Sequence, residues 1–507
     1  MSEHRCATAP DRHGPSARRC LRLLAVTACA CILGGLPPNA AGAAASPRGG
    51  ADQLARTAVT TPPPSHRADP SLRTYVRRAG PFSVGPYGVI KRSDKAAPPR
   101  VGGAIVAMDA RIVDAAGAEM PQQNVMLHHF LMTNGGGDGR RRDGTCPRRP
   151  VSERFYGTSE ELRALTLPAG YGYPSRPRDR WKMIWMVMNH RAAPREIYLE
   201  YRVTVDRRPL TAVKPYWLSV ISCVADQQYS VPGAGATVHR RENRLTLPAG
   251  GRVVAIGGHL HGGGLGLRVS QPRCGDRELT TSRPAYAPPG DPLYGVRPLL
   301  HEPDPKDMSW WQSAQGWPVR AGERLKVAAL YDGTRPHMRV MGIAHVYVAA
   351  GGAGAAPCPA APAGAEVLGA QFDGARLSPP AIGLTLARRG SDGLAREISR
   401  PAGRVRFAAR RAGVAVQRYA FSPANLSIAA GAIVRWDFRD RDQHDVTVAS
   451  APRGFAGPYS RRGASYLRRL TVPGEYRLYC SLHPTLMSQY VRVRSGQVGR
   501  SGVAGAR

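Results

Sequence analysis

Short apolar runs separated by turn residues form the main pattern of this chain. Between about residues 75 and 350 these runs alternate with Gly, Pro and Asp, and the same pattern returns near the carboxyl end. Apolar runs of this length between turn residues are typical of the strands of β-sandwiches. The clearest predicted strands are 104–108, 125–132, 183–188, 197–205, 252–256 and 341–348. Because the pattern contains no helical heptads and no internal repeat, the sequence predicts an all-β fold.

Changes in composition along the chain predict its domain organisation. A break near Leu210 divides the central region, and a Gly/Ala/Pro-rich stretch follows it. The predicted segments are a flexible leader 46–75, β-sandwich domains 76–209 and 210–350, a linker or connector 351–410, a further β domain 411–495 and a disordered tail 496–507.

The amino-terminal segment 1–45 has the features of a secretory signal. Arg18 and Arg19 precede an apolar run over 21–36, and small residues follow it. We therefore expect a secreted or extracytoplasmic protein, exported by a general or a twin-arginine route, with lipid attachment at Cys29 as an alternative. No other apolar stretch is long enough to span a bilayer, so we expect no transmembrane segment after cleavage.

The composition supports loop-rich β structure and a basic surface. Gly (57) and Pro (45) are abundant, and the formal charge is +35, carried almost entirely by Arg. The Arg residues are scattered and form no basic helix or aromatic stacking motif, so the sequence predicts no nucleic-acid partner. Anionic cell-wall or other extracellular polymers are the partners that this charge suggests.

Five cysteines remain beyond the signal segment, so they cannot all be paired in disulfides within the chain. Cys146, Cys223, Cys274 and Cys358 can form two disulfides, in three pairings that the sequence does not distinguish. Cys480 is left over, and an odd cysteine in a secreted protein needs another role.

The clearest chemistry lies in residues 419–493. His444 follows a predicted strand, and Cys480, His483 and Met487 cluster in the loop CSLHPTLM after another. Two imidazoles, one thiolate and one thioether are the ligands of a type 1 copper site. Soft sulfur favours Cu(I) and imidazole accepts Cu(II), so such a site suits single-electron transfer. A copper-bound thiolate also explains why Cys480 has no cysteine partner.

These residues resemble the plastocyanin-like cupredoxin family. The resemblance implies a Greek-key β-sandwich with His444, Cys480, His483 and Met487 as copper ligands. Asp445 stands where such sequences often carry Asn, next to the first of these ligands.

Histidines also recur in the central region at spacings that suggest metal binding. His128 and His129 are adjacent in the apolar run VMLHHFLM, and His190 ends another apolar run. Adjacent strand residues point to opposite faces, so joint ligation by the pair requires a strand end, a bulge or strong twist. His259 and His261 share one strand face, and the flanking glycines of GGHLHGG allow close backbone approach.

The order of these histidines, followed by a methionine, is similar to the copper type II monooxygenases typified by peptidylglycine hydroxylating monooxygenase. That resemblance implies two β-sandwich domains that each hold one copper. The implied ligands are His128, His129 and His190 for one copper and His259, His261 and Met341 for the other. A wider resemblance, to the stress up-regulated nodulin family, covers residues 75–350 through the segments MLHHF, RFYG, LPAGYGYP, WMVMNHR, GGHLHGG and DPLYGVRPLLHEP.

The other candidate groups fit no metal or catalytic spacing. The remaining histidines are interpreted as surface or core residues; they are His66, His239, His301, His337 and His345. Glu160 and Glu161 lie in polar sequence and are predicted to be exposed. Phosphate loops, Rossmann fingerprints, nucleophile elbows and HExxH motifs are absent from the sequence.

The sequence therefore predicts a secreted copper-binding redox protein whose carboxyl-terminal domain transfers single electrons. It predicts one type 1 copper and up to two further copper ions, with a redox protein or a small-molecule reductant as partner. Three hypotheses remain open: a copper-dependent monooxygenase-like enzyme, a non-enzymatic electron carrier or copper-handling protein, and a basic wall-binding protein.

Overall fold

A computed structural model describes residues 70–146, 151–223, 226–233, 235, 237–351, 358, 360–369 and 374–497. The predicted signal segment, nearly all of the predicted leader and nearly all of the tail lie outside these ranges. Among the described residues no helix is long and apolar enough to cross a membrane.

The described chain forms 33 β-strands and two short 3₁₀ helices, so the all-β prediction is confirmed. The first strands are β1 (Leu72–Val84), β2 (Val89–Ala96), β3 (Gly103–Val113), β4 (Val125–Asn134), β5 (Glu153–Thr158), β6 (Leu165–Thr166), β7 (Tyr171–Ser175), β8 (Trp181–Asn189) and β9 (Arg195–Asp206). The middle elements are β10 (Thr211–Ser219), β11 (Tyr229–Val231), β12 (Val238–Thr246), β13 (Gly251–Leu260), β14 (Gly264–Gln271), η1 (Pro272–Cys274), β15 (Arg277–Ser282), β16 (Pro284–Ala285), η2 (Pro292–Gly295), β17 (Asp307–Met308), β18 (Trp310–Val319), β19 (Arg324–Asp332), β20 (His337–Val340) and β21 (Gly342–Ala349). The last strands are β22 (Glu366–Leu368), β23 (Leu386–Arg389), β24 (Ala395–Ile398), β25 (Val405–Ala408), β26 (Arg411–Gln417), β27 (Ala420–Ser422), β28 (Asn425–Ala430), β29 (Ala432–Phe438), β30 (Thr447–Ser450), β31 (Ser465–Leu470), β32 (Gly474–Tyr479) and β33 (Ser488–Gln497).

One long sheet runs through the first two thirds of the described chain. Its strand order is β1-β9-β3-β7-β10-β21-β13-β18-β22, with β6 paired to β3. The link between its halves is a short parallel pairing of β7 with β10, in which Tyr171 lies opposite Thr211. The sheet therefore continues across the boundary predicted near Leu210, at the gap between β9 and β10.

Two smaller sheets cover this long sheet and create two hydrophobic cores. The sheet β2-β8-β4-β5 covers the first half, and Trp185 and Phe130 lie fully buried between the layers. The sheet β12-β19-β14-β15 covers the second half around Tyr331 and Val327. Alternation of apolar and polar side chains along these strands places one face of each in a core.

The carboxyl-terminal sandwich has its own core. Its sheets have the strand orders β25-β28-β33-β32-β30 and β27-β26-β29-β31, and Trp436 is fully buried between them. The first strand, β25, comes from the segment predicted as connector and pairs parallel with β28. The strand β1 likewise begins at Leu72, inside the segment predicted as leader.

Two disulfides select one of the three pairings that the sequence left open. Cys146 is bonded to Cys223, and Cys274 is bonded to Cys358. Cys480 is the one free cysteine among the described residues, and it is buried.

Candidate metal centres

The carboxyl-terminal sandwich gathers three predicted ligands at one end. His444 lies between β29 and β30, where its backbone pairs with Ser460. Cys480 directly follows β32, and the tight loop to β33 carries His483 and Met487. Two backbone hydrogen bonds close this loop: His483 N–H donates to Cys480 O at 3.0 Å, and Met487 N–H donates to His483 O at 3.0 Å. We call His444, Cys480, His483 and Met487 the thiolate site.

Three donor atoms of the thiolate site converge on one point. The Cys480 Sγ lies 3.4 Å from His483 Nδ1 and 4.0 Å from His444 Nδ1. The two Nδ1 atoms are 3.2 Å apart. Met487 is fully buried at the end of the same loop. One sulfur and two imidazole nitrogens within this space fit a soft or borderline metal ion such as copper.

Burial opposes charge on the Cys480 thiol and on the His483 ring. It raises the pKa of the Cys480 thiol well above its usual value, and the Asp445 carboxylate raises it further. Burial, followed by the nearby ring of His444, lowers the pKa of His483 to about 4. The His483 ring therefore offers a free lone pair, and a bound cation would take the place of the thiol proton.

Hydrogen bonds from outside the ligand set fix its orientation. His444 Nε2 lies 3.1 Å from an oxygen of Asp440, which directs Nδ1 toward the sulfur. Asp445 accepts a hydrogen bond from the Ser481 N–H at 2.6 Å, directly after the cysteine. The ligands are thus held by contacts that do not depend on a metal.

Asp445 also connects the sandwich to the preceding part of the chain. Arg339, on β20, donates through Nε to Asp445 at 2.8 Å and through a second nitrogen to the same carboxylate. The guanidinium also lies over the Tyr459 ring, 4.0 Å from its centroid. The carboxylate and the guanidinium are both buried, so this ion pair lies beside the ligand loop and away from water.

In the central region, a β-bulge brings the adjacent histidines together. The pairing of β4 with β8 shifts register between Leu127 and His129, so His128 is the extra residue. A bulge re-aims side chains that would otherwise point to opposite faces. The ring centroids of His128 and His129 are consequently 4.1 Å apart.

The histidines of both predicted ligand sets meet in one cluster. His129 Nε2 lies 3.1 Å from His261 Nε2. The ring centroids of His259 and His261 are 5.0 Å apart, and that of His301 lies 4.1 Å from His128. We call these five residues, His128, His129, His259, His261 and His301, the histidine cluster. The structure differs from the predicted division into two separate ligand sets, because these histidines meet although β4 and β13 belong to different sheets.

The other two predicted ligands of this region are His190 and Met341. His190 is buried, and neither of its ring nitrogens has a hydrogen-bond partner, but it belongs to none of the close ligand groups among the described residues. Burial lowers its pKa to about 4. Met341 precedes β21 and is half-buried, and its carbonyl accepts a hydrogen bond from Tyr331 at 2.5 Å.

Sequence reasoning missed one histidine and three carboxylates beside the cluster. Glu160 and Glu161 are buried, which corrects the prediction that they are exposed. They lie just after β5, on the same side as the bulge, where polar sequence does not reveal burial. Asp304 and His301 come from the loop LLHEPD, whose His and Asp are three residues apart. This spacing of His and Asp could have indicated a metal site from the sequence. Only the fold, however, places the loop against β4.

These buried groups shift one another's pKa values. Burial, then the ring of His301, lowers the pKa of His128 to about 3. Burial would raise the pKa of Glu160, but the imidazoles of His128 and His301 lower it more. Burial and the negative charge of Glu160 raise the pKa of Asp304 well above its usual value. A cation bound among these groups would relieve the repulsion between the two carboxylates.

A small cavity separates the two candidate centres. It has a volume of about 50 Å³. His128 and His301 line one side, and Tyr479 and Ser481, the neighbours of Cys480, line another. Met186 and Met188, on β8, are among its other lining residues.

Comparisons with known proteins give short matches. No family model matches the chain, and no curated protein is similar to it. Solved structures that are similar include an oxidised mutant of amicyanin, at 23% identity over 16% of this chain and 80% of that chain with a TM-score of 0.15. A reduced amicyanin mutant matches at 22% identity over 16% of this chain and 81% of that chain, with a TM-score of 0.16. A Cu(I) form of a further amicyanin mutant matches at 23% identity over 16% and 80%, with a TM-score of 0.15.

Proposed function

We propose that this protein is an extracytoplasmic copper redox protein. Its cupredoxin-like carboxyl-terminal sandwich would hold one copper ion at the thiolate site and exchange single electrons there. The observation that carries the proposal is the convergence of Cys480 Sγ with the Nδ1 atoms of His444 and His483 within 4.0 Å of one another. A bound copper ion would supply one-electron cycling between Cu(I) and Cu(II).

The chain supplies a rigid and dry environment for that chemistry. The Asp440 contact holds the His444 ring, and Asp445 holds the backbone that follows Cys480. Ligands that are already held in place move little between two oxidation states, which favours rapid electron transfer. His483 is half-buried whereas His444 and Cys480 are fully buried, so it is the ligand through which a redox protein or small reductant would reach the site.

His129, His259 and His261 of the histidine cluster are proposed as a second metal-binding centre that exchanges electrons with the first. The cavity supports this, because residues flanking Cys480 line it together with His128, whose ring centroid lies 4.1 Å from that of His129. The first candidate function is that of an enzyme, a copper-dependent monooxygenase-like oxidoreductase. The second candidate is a non-enzymatic electron carrier or copper-handling protein. The close contact of His129 with His261 favours it, since the hydroxylases that the histidine order resembles hold two separate coppers.

An extracytoplasmic location is part of the proposal. Two disulfides close loops in the central region, and such bonds persist in oxidising compartments. The excess of Arg makes anionic extracellular polymers plausible surface partners by charge alone.

The test is copper stoichiometry with an absorption spectrum of the purified full chain. The wild type should show an intense thiolate-to-copper band. The variant Cys480→Ser should lose that band and one copper ion per chain while it remains folded. The matched variant His259→Ala/His261→Ala should lose copper content but keep the band. A band that survives in Cys480→Ser contradicts the assignment of the thiolate, and an unchanged copper content in the histidine variant removes the second centre.

A further inference from the structure

Two carboxylates and two imidazoles lie close together beside β4. Several of their polar atoms have no hydrogen-bond partner among the described residues. The four residues are His128, Glu160, His301 and Asp304, which we call the carboxylate set. We propose that the carboxylate set binds a divalent first-row transition ion, with Zn²⁺ as the best match, at a position distinct from the thiolate site. This site does not depend on the electron-transfer role proposed above.

The unpaired atoms provide the first argument. His128 Nδ1, Glu160 Oε1, His301 Nδ1 and Asp304 Oδ2 are buried, and none of them has a hydrogen-bond partner within the described part of the chain. The side chains of Glu160 and Asp304 are 0% exposed, and that of His128 is 2% exposed. Leaving buried carboxylate oxygens unpaired is costly, and a cation among them removes that cost.

The spacing of the donor atoms provides the second argument. His128 Nδ1 lies 3.8 Å from Glu160 Oε1 and 3.7 Å from Asp304 Oδ2. His301 Nδ1 lies 3.4 Å from Glu160 Oε1 and 3.8 Å from Asp304 Oδ1. In a tetrahedral zinc site with bonds of about 2.1 Å, neighbouring donors are about 3.4 Å apart. One ligand atom from each of the four residues lies within 4.8 Å of the others, so a small inward movement of the side chains would surround a cation.

Hydrogen bonds from backbone N–H groups aim the carboxylates at the centre of the set. Asp304 Oδ1 accepts a hydrogen bond from the Gly262 N–H at 2.7 Å, which leaves Oδ2 free to face His128. Glu160 Oε2 accepts one from the Asp304 N–H at 3.2 Å, which leaves Oε1 free to face the rings. Metal-binding carboxylates are commonly oriented by outer contacts of this kind.

The charge and the donor types decide the class of ion. Ligation through both carboxylates would place a formal charge of −2 at the site, which a divalent cation would neutralise. Carboxylate oxygen is a poor ligand for Cu(I), whereas nitrogen with oxygen in a closed set of four suits Zn²⁺. The remaining rings of the histidine cluster, His129, His259 and His261, are left to copper. Of these, His259 Nδ1 lies 3.2 Å from Glu161 Oε1, and His261 Nδ1 lies 3.9 Å from Asp304 Oδ2.

A cobalt titration of the full chain tests the proposal. The protein is stripped with a chelator, loaded with Cu(I) under reducing conditions and titrated with Co²⁺, whose visible absorption reports tetrahedral geometry. The wild type should bind one equivalent of Co²⁺ with the tetrahedral spectrum, and one equivalent of Zn²⁺ should displace it. The variants Glu160→Gln and Asp304→Asn should each weaken Co²⁺ binding at least about tenfold. The thiolate-to-copper band should persist in both after reoxidation.

Glu302→Gln is the matched control. Glu302 lies in the same loop, but it faces His337, with its oxygen 2.9 Å from that ring's Nδ1. This variant should bind Co²⁺ as the wild type does. Wild-type protein that binds no Co²⁺ after copper loading would overturn the proposal, and this holds even if a variant fails to fold. Folded Glu160→Gln and Asp304→Asn proteins with wild-type affinity would overturn it as well.

Discussion

At the scale of the residue, the same amino acid has different roles according to what surrounds it. His444 presents Nδ1 to the Cys480 sulfur because Asp440 occupies its other nitrogen. His345 instead stacks on Trp217, with ring centroids 4.3 Å apart, and belongs to none of the close ligand groups among the described residues. The interpretation of His345 as a surface or core residue therefore agrees with its position in the core.

His345 makes stability depend on pH. Burial, then the nearby His259, lowers its pKa from 6.5 to about 3, so the unfolded chain binds this proton more readily than the folded one. The free energy of unfolding should therefore fall as the pH falls through this window, by about 1.4 kcal/mol per pH unit for this one proton. In the variant His345→Phe, the free energy of unfolding, measured with denaturant, should change less steeply with pH between pH 6 and 4. The difference in slope from the wild type should be about 1.4 kcal/mol per pH unit.

Above pH 7.5 the two proteins should show the same pH slope, because His345 is neutral in both the folded and the unfolded state there. Equal slopes of the wild type and His345→Phe in the acid range would mean that His345 is protonated in the folded protein.

At the scale of the element, local backbone irregularities place the histidine cluster. The bulge in β4 turns His128 toward the same side as His129, and the glycines after β13 let the loop 301–304 approach. A Cβ on Gly262 would lie 2.6 Å from Glu302 Cγ and 2.8 Å from the Pro303 carbonyl oxygen. The close approach of two backbone segments thus requires glycine at this position.

Gly262→Ala should therefore displace the loop that carries Asp304. Overpacking of this kind costs about 1–3 kcal/mol of unfolding free energy. Metal content of the central region should fall while the thiolate-to-copper band stays unchanged, which metal analysis and absorption measure together. The control is Gly290→Ala, since a Cβ at Gly290 meets nothing within 4 Å. Wild-type stability and metal content in Gly262→Ala would show that the loop adapts without cost.

At the scale of the whole molecule, one buried ion pair joins the central region to the carboxyl-terminal sandwich. Arg339 adopts a φ of 56°, a left-handed conformation that is unfavourable for a residue with a side chain. Its guanidinium is held there by Asp445 and by the Gly457 carbonyl, which accepts a hydrogen bond at 2.7 Å. The Asp445 charge raises the pKa of Cys480, so this connection reaches the ligand loop.

Removing one partner of this pair should cost far more than removing both. Arg339→Met leaves the Asp445 carboxylate buried without its counter-charge and should lower the free energy of unfolding by about 3–5 kcal/mol. The double variant Arg339→Met/Asp445→Asn should recover most of that loss, because no uncompensated charge remains. Denaturant unfolding of the wild type, both single variants and the double variant measures the coupling. Additive losses would show that the two side chains are energetically independent.

The sequence alone determined the features that depend on local patterns. Alternation of apolar residues with turns determined the all-β fold, and the six clearest predicted strands lie within or next to observed strands. The donor types in the loop CSLHPTLM determined the soft-metal chemistry of the thiolate site, because sulfur and imidazole carry that preference wherever they lie. Strand geometry also indicated that joint ligation by the adjacent histidines requires a strand end, a bulge or strong twist, and the structure has a bulge.

Only the tertiary structure decided what depends on contacts between distant segments. It selected the disulfide pairing, brought His129 against His261, and buried Glu160 with Asp304 although 144 residues separate them. It likewise made Arg339 the partner of Asp445. A periodic pattern reports which face of a strand is buried, but burial of a polar group depends on the strand or loop that packs over it. That neighbour is chosen by the free energy of the whole fold.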